Sequence, residues 1–402
     1  MLDTATSTQP PGTARALRPD SQHETGATLH VSRFTLQLSP VTRLAAILMF
    51  ALLALLTMGA GGPVLQGSQP GDLPIYPEQI AAIQAAREAP PLSAPAALLA
   101  DSDTNQVLAA LDANQPRAMA STTKIMTALL TLERASLTDQ VVVSPTALVG
   151  GSTMGLSAGE VLSVEDLLWG LLLNSGNDAA VALAEHVAGS EAAFVQLMNQ
   201  RAAELGMSNT RFANPHGLDA PDHTSSAYDL WLVTQEALKH PLFRQIVATP
   251  AAVVAGRQLV NQNQLLTSYP GADGVKTGTT VAAGESLVGS ASPDGHRAVV
   301  VILGSQDRYS DARALFDHYS TFWRWAPAPQ PVGPASWLWV AGQPRRVAAS
   351  APPDLFLPAW QWPLVRPQLV TTGAETGQFS GVVRWYLGNQ RLAEAPAILL
   401  DN

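Results

Sequence analysis

Cysteine is missing altogether from the 402 residues. Its absence excludes disulfides, thiolate metal sites and cysteine nucleophiles together, so covalent catalysis would have to use another group. Lysine is almost missing as well: Lys124, Lys239 and Lys276 stand against 20 arginines. Charged residues of both kinds make up only 14% of the chain, and the formal net charge is -9. With no basic stripe and no aromatic RNA-binding motif, nucleic acid is not an expected partner. What the chain does have is apolar residues, 47% of the total, enough at this length to bury cores in two or three domains.

One apolar run stands apart. Leu44 to Leu65, LAAILMFALLALLTMGAGGPVL, contains 22 residues without a charge. As a helix it would be about 33 Å long, against about 30 Å of bilayer hydrocarbon. Arg33 and Arg43 precede it with no acid between them, which keeps the amino-terminal tail cytoplasmic and exports the rest of the chain. Gly59, Gly61, Gly62 and Pro63 weaken the last turn, and the dense part is short enough to serve as a signal-peptide core. The long preceding tail and the lack of an A-x-A site favour an uncleaved anchor. The expected placement is a single-pass protein of the cell membrane with its folded domain on the outer face, or a secreted one if the segment is cleaved.

Around that segment, residues 1–43 read as a disordered cytoplasmic tail. Residues 66–91 read as a linker containing one short helix at Glu78–Arg87. Residues 92–325 form the expected main domain. It opens with AALLA and QVLAAL as a hairpin, continues with helices at 164–173, 178–188, 191–205 and 226–237, and closes with strand-like runs at 252–254, 285–291 and 298–303. Strands, then helices, then strands imply an α/β or α+β body with a helical insertion. APAPQPVGP reads as a linker into residues 326–402, a small β domain that holds five of the nine tryptophans. These rings are expected to fill its core, and GVVRWYL–Gly388–Asn389–QRLAE reads as a hairpin with a two-residue turn.

The scarcity of lysine makes its positions informative. In ASTTKIMTALL, Ser121 and Lys124 lie three residues apart on a helical pattern, with Ser121 or Thr122 placed to cap its start. Arginine cannot give up its proton in a protein, whereas a buried lysine can. A serine beside such a lysine is a nucleophile with its base. Downstream, Ser175-Gly176-Asn177 lies between two helical patterns, where a loop can present a hydroxyl able to relay protons and a carboxamide able to grip a peptide. Lys276-Thr277-Gly278-Thr279 holds a second lysine on a strand pattern. There an amine would attract a carboxylate and lower the pKa of a neighbouring lysine, two hydroxyls would donate, and glycine would allow close approach of a ligand backbone. Lys239, near a helix end, needs only a dipole explanation.

The triplets S-x-x-K, S-x-N and K-T-G occur in that order with long matching flanks: GSTMGLSAGEVLSVEDLLWGLLLNSGNDAAVALAEHV, LGMSNTRFANPHGLDAPDHTSSAYDL and GADGVKTGTT. In these the chain resembles the low-molecular-weight penicillin-binding proteins, serine D-alanyl-D-alanine carboxypeptidases of the S11 type. The resemblance implies a β-lactamase/transpeptidase-like catalytic domain, an antiparallel sheet flanked by helices with a helical subdomain, followed by a small all-β domain. It further implies that Ser121 is acylated, that Lys124 takes its proton, and that Ser175 passes protons to the departing D-alanine. Asn177 would position the peptide, Lys276, Thr277 and Thr279 would hold the terminal carboxylate, and the backbone N–H groups of Ser121 and Thr279 would form the oxyanion hole. Stem peptides ending in D-Ala-D-Ala are the implied substrates and β-lactams the implied covalent inhibitors, with no metal or organic cofactor required. His216 and His223 fall in supporting loops rather than in a triad. A D,D-endopeptidase or β-lactamase on the same fold, or a non-catalytic wall-binding protein, are the alternatives. No E-x-x-L-N deacylation loop is present, and no basic amphipathic tail follows ILLDN.

Overall fold

The structure is a computed structural model that describes residues 77–372 and 379–400. The tail 1–43 and the segment 44–65 lie outside the described residues. Among the described residues no helix is long and apolar enough to cross a membrane.

The first described element is helix α1 (Pro77–Arg87), which includes the short helix expected inside the linker and lies against the first hairpin. That hairpin is β1 (Ala96–Asp101) and β2 (Gln106–Leu111). The main sheet adds β3 (Ala272–Thr280), β4 (Gly284–Ala291) and β5 (Ala298–Ser305). Its strands are ordered β2-β1-β5-β4-β3 and every pair is antiparallel. The amino-terminal hairpin is thus sealed onto a meander that arrives some 160 residues later, because β1 pairs with β5 from Ala96↔Leu303 to Asp101↔Ala298.

Apolar continuity in β1 and β5 follows from burial on both faces. Leu98, Ala100, Val299, Val301 and Leu303 face a large helical core, whereas Ala97, Leu99, Val300 and Ile302 face a smaller one closed by helix α8 (Arg308–Phe322). The large core is built from α2 (Lys124–Arg134), α3 (Val164–Leu172), α4 (Asn177–Ala188), α5 (Glu191–Glu204), α6 (Ala227–Ala237) and α7 (Pro241–Val247). Three of these helices start at side-chain caps: Ser163 with Asp166 forms a capping box for α3, Ser190 caps α5 and Ser226 caps α6. Helix α2 is buried from Lys124 through Thr131, which makes it the central helix of the domain. Sequence periodicity missed α7 and α8. Helix α8 in particular carries a polar, aromatic-rich pattern and is started by the Asp307 carboxylate, which accepts the Tyr309 and Ser310 amides.

The carboxy-terminal part begins at the expected linker, whose first two residues end a strand, Trp323–Pro327, paired with Asp354–Pro358. The Trp325 indole donates to buried Asp101 of β1 at 2.9 Å, as does the Tyr319 hydroxyl. That tie joins the β region to the catalytic body. Beyond it lies a second five-stranded sheet: β6 (Trp337–Val340), β7 (Gln343–Ala349), β8 (Val365–Thr372), β9 (Ser380–Leu387) and β10 (Gln390–Leu400), in the order β6-β7-β10-β9-β8. The expected two-residue turn sits at 388–389 between β9 and β10. Of the rings expected to fill this domain, Trp385 is fully buried, but Trp337 and Trp339 are 49% and 67% exposed. They occupy alternate positions on an edge strand whose other side is the packed one.

Candidate active site

Ser121 stands on a 3-10 turn, Ala120–Thr123, that runs directly into α2. The expected side-chain cap is not formed. Thr122 and Thr123 instead turn their hydroxyls back, donating to the carbonyls of Met119 at 2.6 Å and Ala120 at 2.8 Å. The turn is further shaped by Ala120, whose φ is +49°. One helical turn on, the Lys124 amine lies 3.0 Å from Ser121 Oγ.

The surroundings of that amine determine its protonation. Lys124 is completely buried, and its pKa lies well below the ordinary lysine value, first through burial and then through the charge of Lys276, with Asp178 opposing. Two further partners fix its position. The amine donates to Asn177 Oδ1 at 2.7 Å and to the His216 carbonyl at 2.5 Å. A neutral –NH2 has two hydrogens and one lone pair. In that form, with both hydrogens committed, the lone pair would be left for the Ser121 hydroxyl, the arrangement a general base requires.

Asn177 is the first residue of α4 rather than part of the preceding loop. Its amide nitrogen donates to the Gly150 carbonyl at 2.8 Å, so the side chain links Lys124 to the 150–156 loop. The adjacent Asp178 holds that loop, accepting the backbone amides of Met154, Gly155 and Leu156 at 2.9 to 3.1 Å. Ser175 is 1% exposed and has φ of +60°. Its neighbour Asn174 secures it, accepting from Val260 N at 2.9 Å through Oδ1 and from Gln262 Nε2 at 3.1 Å through its carbonyl.

Strand β3 closes the opposite wall. Gly278 is essential to this geometry for a reason other than ligand approach. A Cβ there would fall 2.8 Å from Ser121 N, 2.9 Å from Ala120 Cβ and 3.1 Å from Met119 O. The strand therefore lies directly on the turn that carries Ser121. Gly217, with φ of +91°, performs the same service from the other side, since its Cβ would overlap the Ala120 carbonyl. Lys276 is 2% exposed and donates to the Thr277 carbonyl at 3.0 Å. Burial, with help from Arg308, pushes its pKa down to about 7. Its side chain is buried beside the cavity rather than at its surface.

A polar cavity of about 280 Å³ opens between these walls, lined by Ser121, Ser152, Ser175, Thr277, Thr279 and Arg308 among others. The structure thus brings all seven residues singled out in the sequence to one place: Ser121, Ser175, Thr277 and Thr279 at the cavity surface, and Lys124, Asn177 and Lys276 buried in its walls. Arg308, at the start of α8, was not legible in the sequence. It donates to the Gly278 carbonyl at 2.8 Å and to the Ser286 carbonyl at 3.0 Å, contacts the Thr279 hydroxyl, and pairs with Glu285. It supplies the permanent cation that buried Lys276 does not present directly. Among the described residues no cluster of side chains suited to a metal ion occurs. His216 contributes its carbonyl to Lys124, and burial beside that amine pushes its ring pKa down to about 4.

The D-alanyl-D-alanine carboxypeptidase family, peptidase S11, matches residues 83–307. The D-alanyl-D-alanine carboxypeptidase DacF of Bacillus subtilis is 41% identical over 223 residues, which cover 53% of this chain and 57% of that protein. DacB2 of Mycobacterium tuberculosis is 39% identical over 246 residues, covering 58% of this chain and 82% of that protein. The crystal structure of penicillin binding protein 6B from Escherichia coli superposes with a TM-score of 0.62 at 30% identity, covering 77% of this chain and 96% of that one.

Proposed function

The chain belongs to the peptidase S11 family of D-alanyl-D-alanine carboxypeptidases, and from that premise we propose that it is a serine D,D-carboxypeptidase that removes the terminal D-alanine of peptidoglycan stem peptides. The observation that carries this reading is the buried Lys124 amine, with two acceptors for its hydrogens and its third direction toward Ser121 Oγ.

In this reading the substrate's terminal carboxylate rests against the hydroxyls of Thr277 and Thr279 and the Arg308 guanidinium, in the field of Lys276. Ser121 Oγ attacks the penultimate D-alanyl carbonyl while its proton passes to Lys124 Nζ. The carbonyl oxygen becomes an oxyanion facing the amides of Ser121 and Thr279, and fixed donors of this kind stabilise it most as its charge develops. Collapse breaks the C–N bond, and the Lys124 proton, relayed by the Ser175 hydroxyl, protonates the leaving amine. Water then attacks the Ser121 ester carbonyl, giving a proton to the same lysine, and collapse breaks the acyl C–Oγ bond, releasing the shortened peptide while Lys124 returns the proton to Ser121 Oγ. Every proton in the scheme has a side-chain or water carrier. A β-lactam would acylate Ser121 by the same attack, its opened ring remaining attached.

D-alanine release from a peptide ending in D-Ala-D-Ala tests the assignment, with the purified full chain and its Ser121→Ala variant compared. Release that vanishes in the variant is expected; release that persists would overturn the role of Ser121. The charge-free run 44–65 and its flanking Arg33 and Arg43 support an anchor that holds this domain at the outer face of the membrane. A mature protein found in the medium with its amino terminus after residue 65 would refute that anchor.

A further inference from the structure

The turn that carries Ser121 is held from behind by a directional chain of hydrogen bonds. Ala120, immediately before Ser121, has φ of +49°, a left-handed conformation that is strained for a residue with a Cβ. Its carbonyl accepts the Thr123 hydroxyl at 2.8 Å, and Thr123 Oγ1 in turn lies 2.9 Å from His223 Nε2. The other ring nitrogen, His223 Nδ1, accepts the Ala213 amide at 2.8 Å. A neutral imidazole has one donor and one acceptor nitrogen. Because Nδ1 is the acceptor, Nε2 bears the hydrogen and donates it to Thr123 Oγ1. The single hydrogen of Thr123 is committed to Ala120. The chain therefore runs one way, from Ala213 N–H through His223 and Thr123 to the carbonyl before Ser121. Thr123 and His223 are 0% and 4% exposed, so water does not compete for these partners.

We infer that His223 is a positioning residue for acylation: its Nε2–H keeps the Thr123 hydroxyl on the Ala120 carbonyl and so preserves the left-handed turn that sets Ser121 Oγ beside Lys124. The inference rests on the reading of Ser121 as the nucleophile. His223 touches no reacting atom. Its contribution is to alignment, where a displacement of about 1 Å can cost on the order of a hundredfold in rate.

Two replacements separate the two ring nitrogens. Asparagine places an acceptor near Nδ1, serving Ala213 but not reaching Thr123. Glutamine places a donor near Nε2, serving Thr123 but leaving Ala213 without its acceptor. The measurement is the acylation rate constant with a fluorescent penicillin, taken on the full chain alongside a thermal unfolding curve. His223→Asn is expected to acylate about 10–100-fold more slowly, with His223→Gln within about threefold of wild type. A role confined to fastening the loop at Ala213 would reverse that order. Thr123→Val, which removes the relay without changing side-chain shape, should lose as much as His223→Asn, and the double variant should lose no more than either alone. If His223→Asn does not fold, Thr123→Val carries the test by itself. Wild-type acylation in Thr123→Val, the reversed order, or independent additive losses would overturn the inference. Absence of labelling in the wild-type protein would overturn the nucleophile reading, and this one with it.

Discussion

Replacing Gly278 by alanine adds a single methyl group where the cavity wall meets the nucleophile's turn. The added carbon would fall 2.8 Å from Ser121 N and 2.9 Å from Ala120 Cβ, against the 3.4 Å at which ordinary contact begins. Both neighbours are backbone or an alanine methyl, so no flexible side chain can swing aside. Strand β3 is paired with β4 through this region, Gly278 standing opposite Ser286. Arg308 also donates to the Gly278 carbonyl. The strand is thus the better anchored partner, and the turn must move by roughly half an ångström. A shift of that size opens the 3.0 Å contact between Ser121 Oγ and Lys124 and withdraws the Ser121 amide from the oxyanion. The expected cost is about 10–100-fold in acylation and about 1–3 kcal/mol in stability from overpacking. Acylation by a fluorescent penicillin and urea unfolding measure the two. Gly278→Ala with wild-type acylation would show that the turn is not held against the strand as described, and would remove the steric argument for this glycine.

Lys124→Arg substitutes a cation that cannot give up its proton, so acylation should fall by about 10²–10⁴-fold, the usual worth of a general base; normal penicillin labelling would refute Lys124 as the base. The same variant should also melt at lower temperature, because a larger group must enter a site with no exposure. His216 and His223 are both held down to about 4, chiefly by burial, whereas in the unfolded chain they titrate near 6.5. Protonation therefore favours the unfolded chain. The stability they contribute is complete above about pH 6.5 and lost as the pH falls toward 4. At about 1.4 kcal/mol per pH decade this amounts to about 3 kcal/mol for either histidine alone. A melting temperature unchanged between pH 7 and pH 4 would contradict the depressed pKa of both rings.

Helices α3 to α6 were legible because each joins an apolar stripe to a serine cap or an acidic first turn. Strands β1 and β5 were legible because burial on both faces leaves an unbroken apolar run. Helix α8 was not, since its stripe is supplied by Tyr309, Leu315, Phe316 and Tyr319 among charged residues. The caps proposed for Ser121 and Thr122 failed because a 3-10 turn under β3 offers the threonine hydroxyls carbonyls to donate to. For the tryptophans, counting rings could not separate Trp385, inside the small domain, from Trp337 and Trp339 on its edge strand.

The sequence by itself determined the chemistry available. It contains no thiol, only three lysines, and two of these sit in triplets that place hydroxyls beside an amine, the groups that serine acyl transfer would use. These are properties of residue type and order, and they survive in an unfolded chain. Tertiary structure alone decided that the Lys124 pKa is pushed well below the ordinary lysine value, that Lys276 is buried while Arg308 lines the cavity, and that Gly217 and Gly278 leave room for the turn of Ser121. Protonation depends on burial and on partners, and here those partners come from Asn177, His216 and Lys276, 53 to more than 150 positions along the chain. Only folding brings such groups within a few ångströms, where loss of water and the nearness of charge set what each side chain can do.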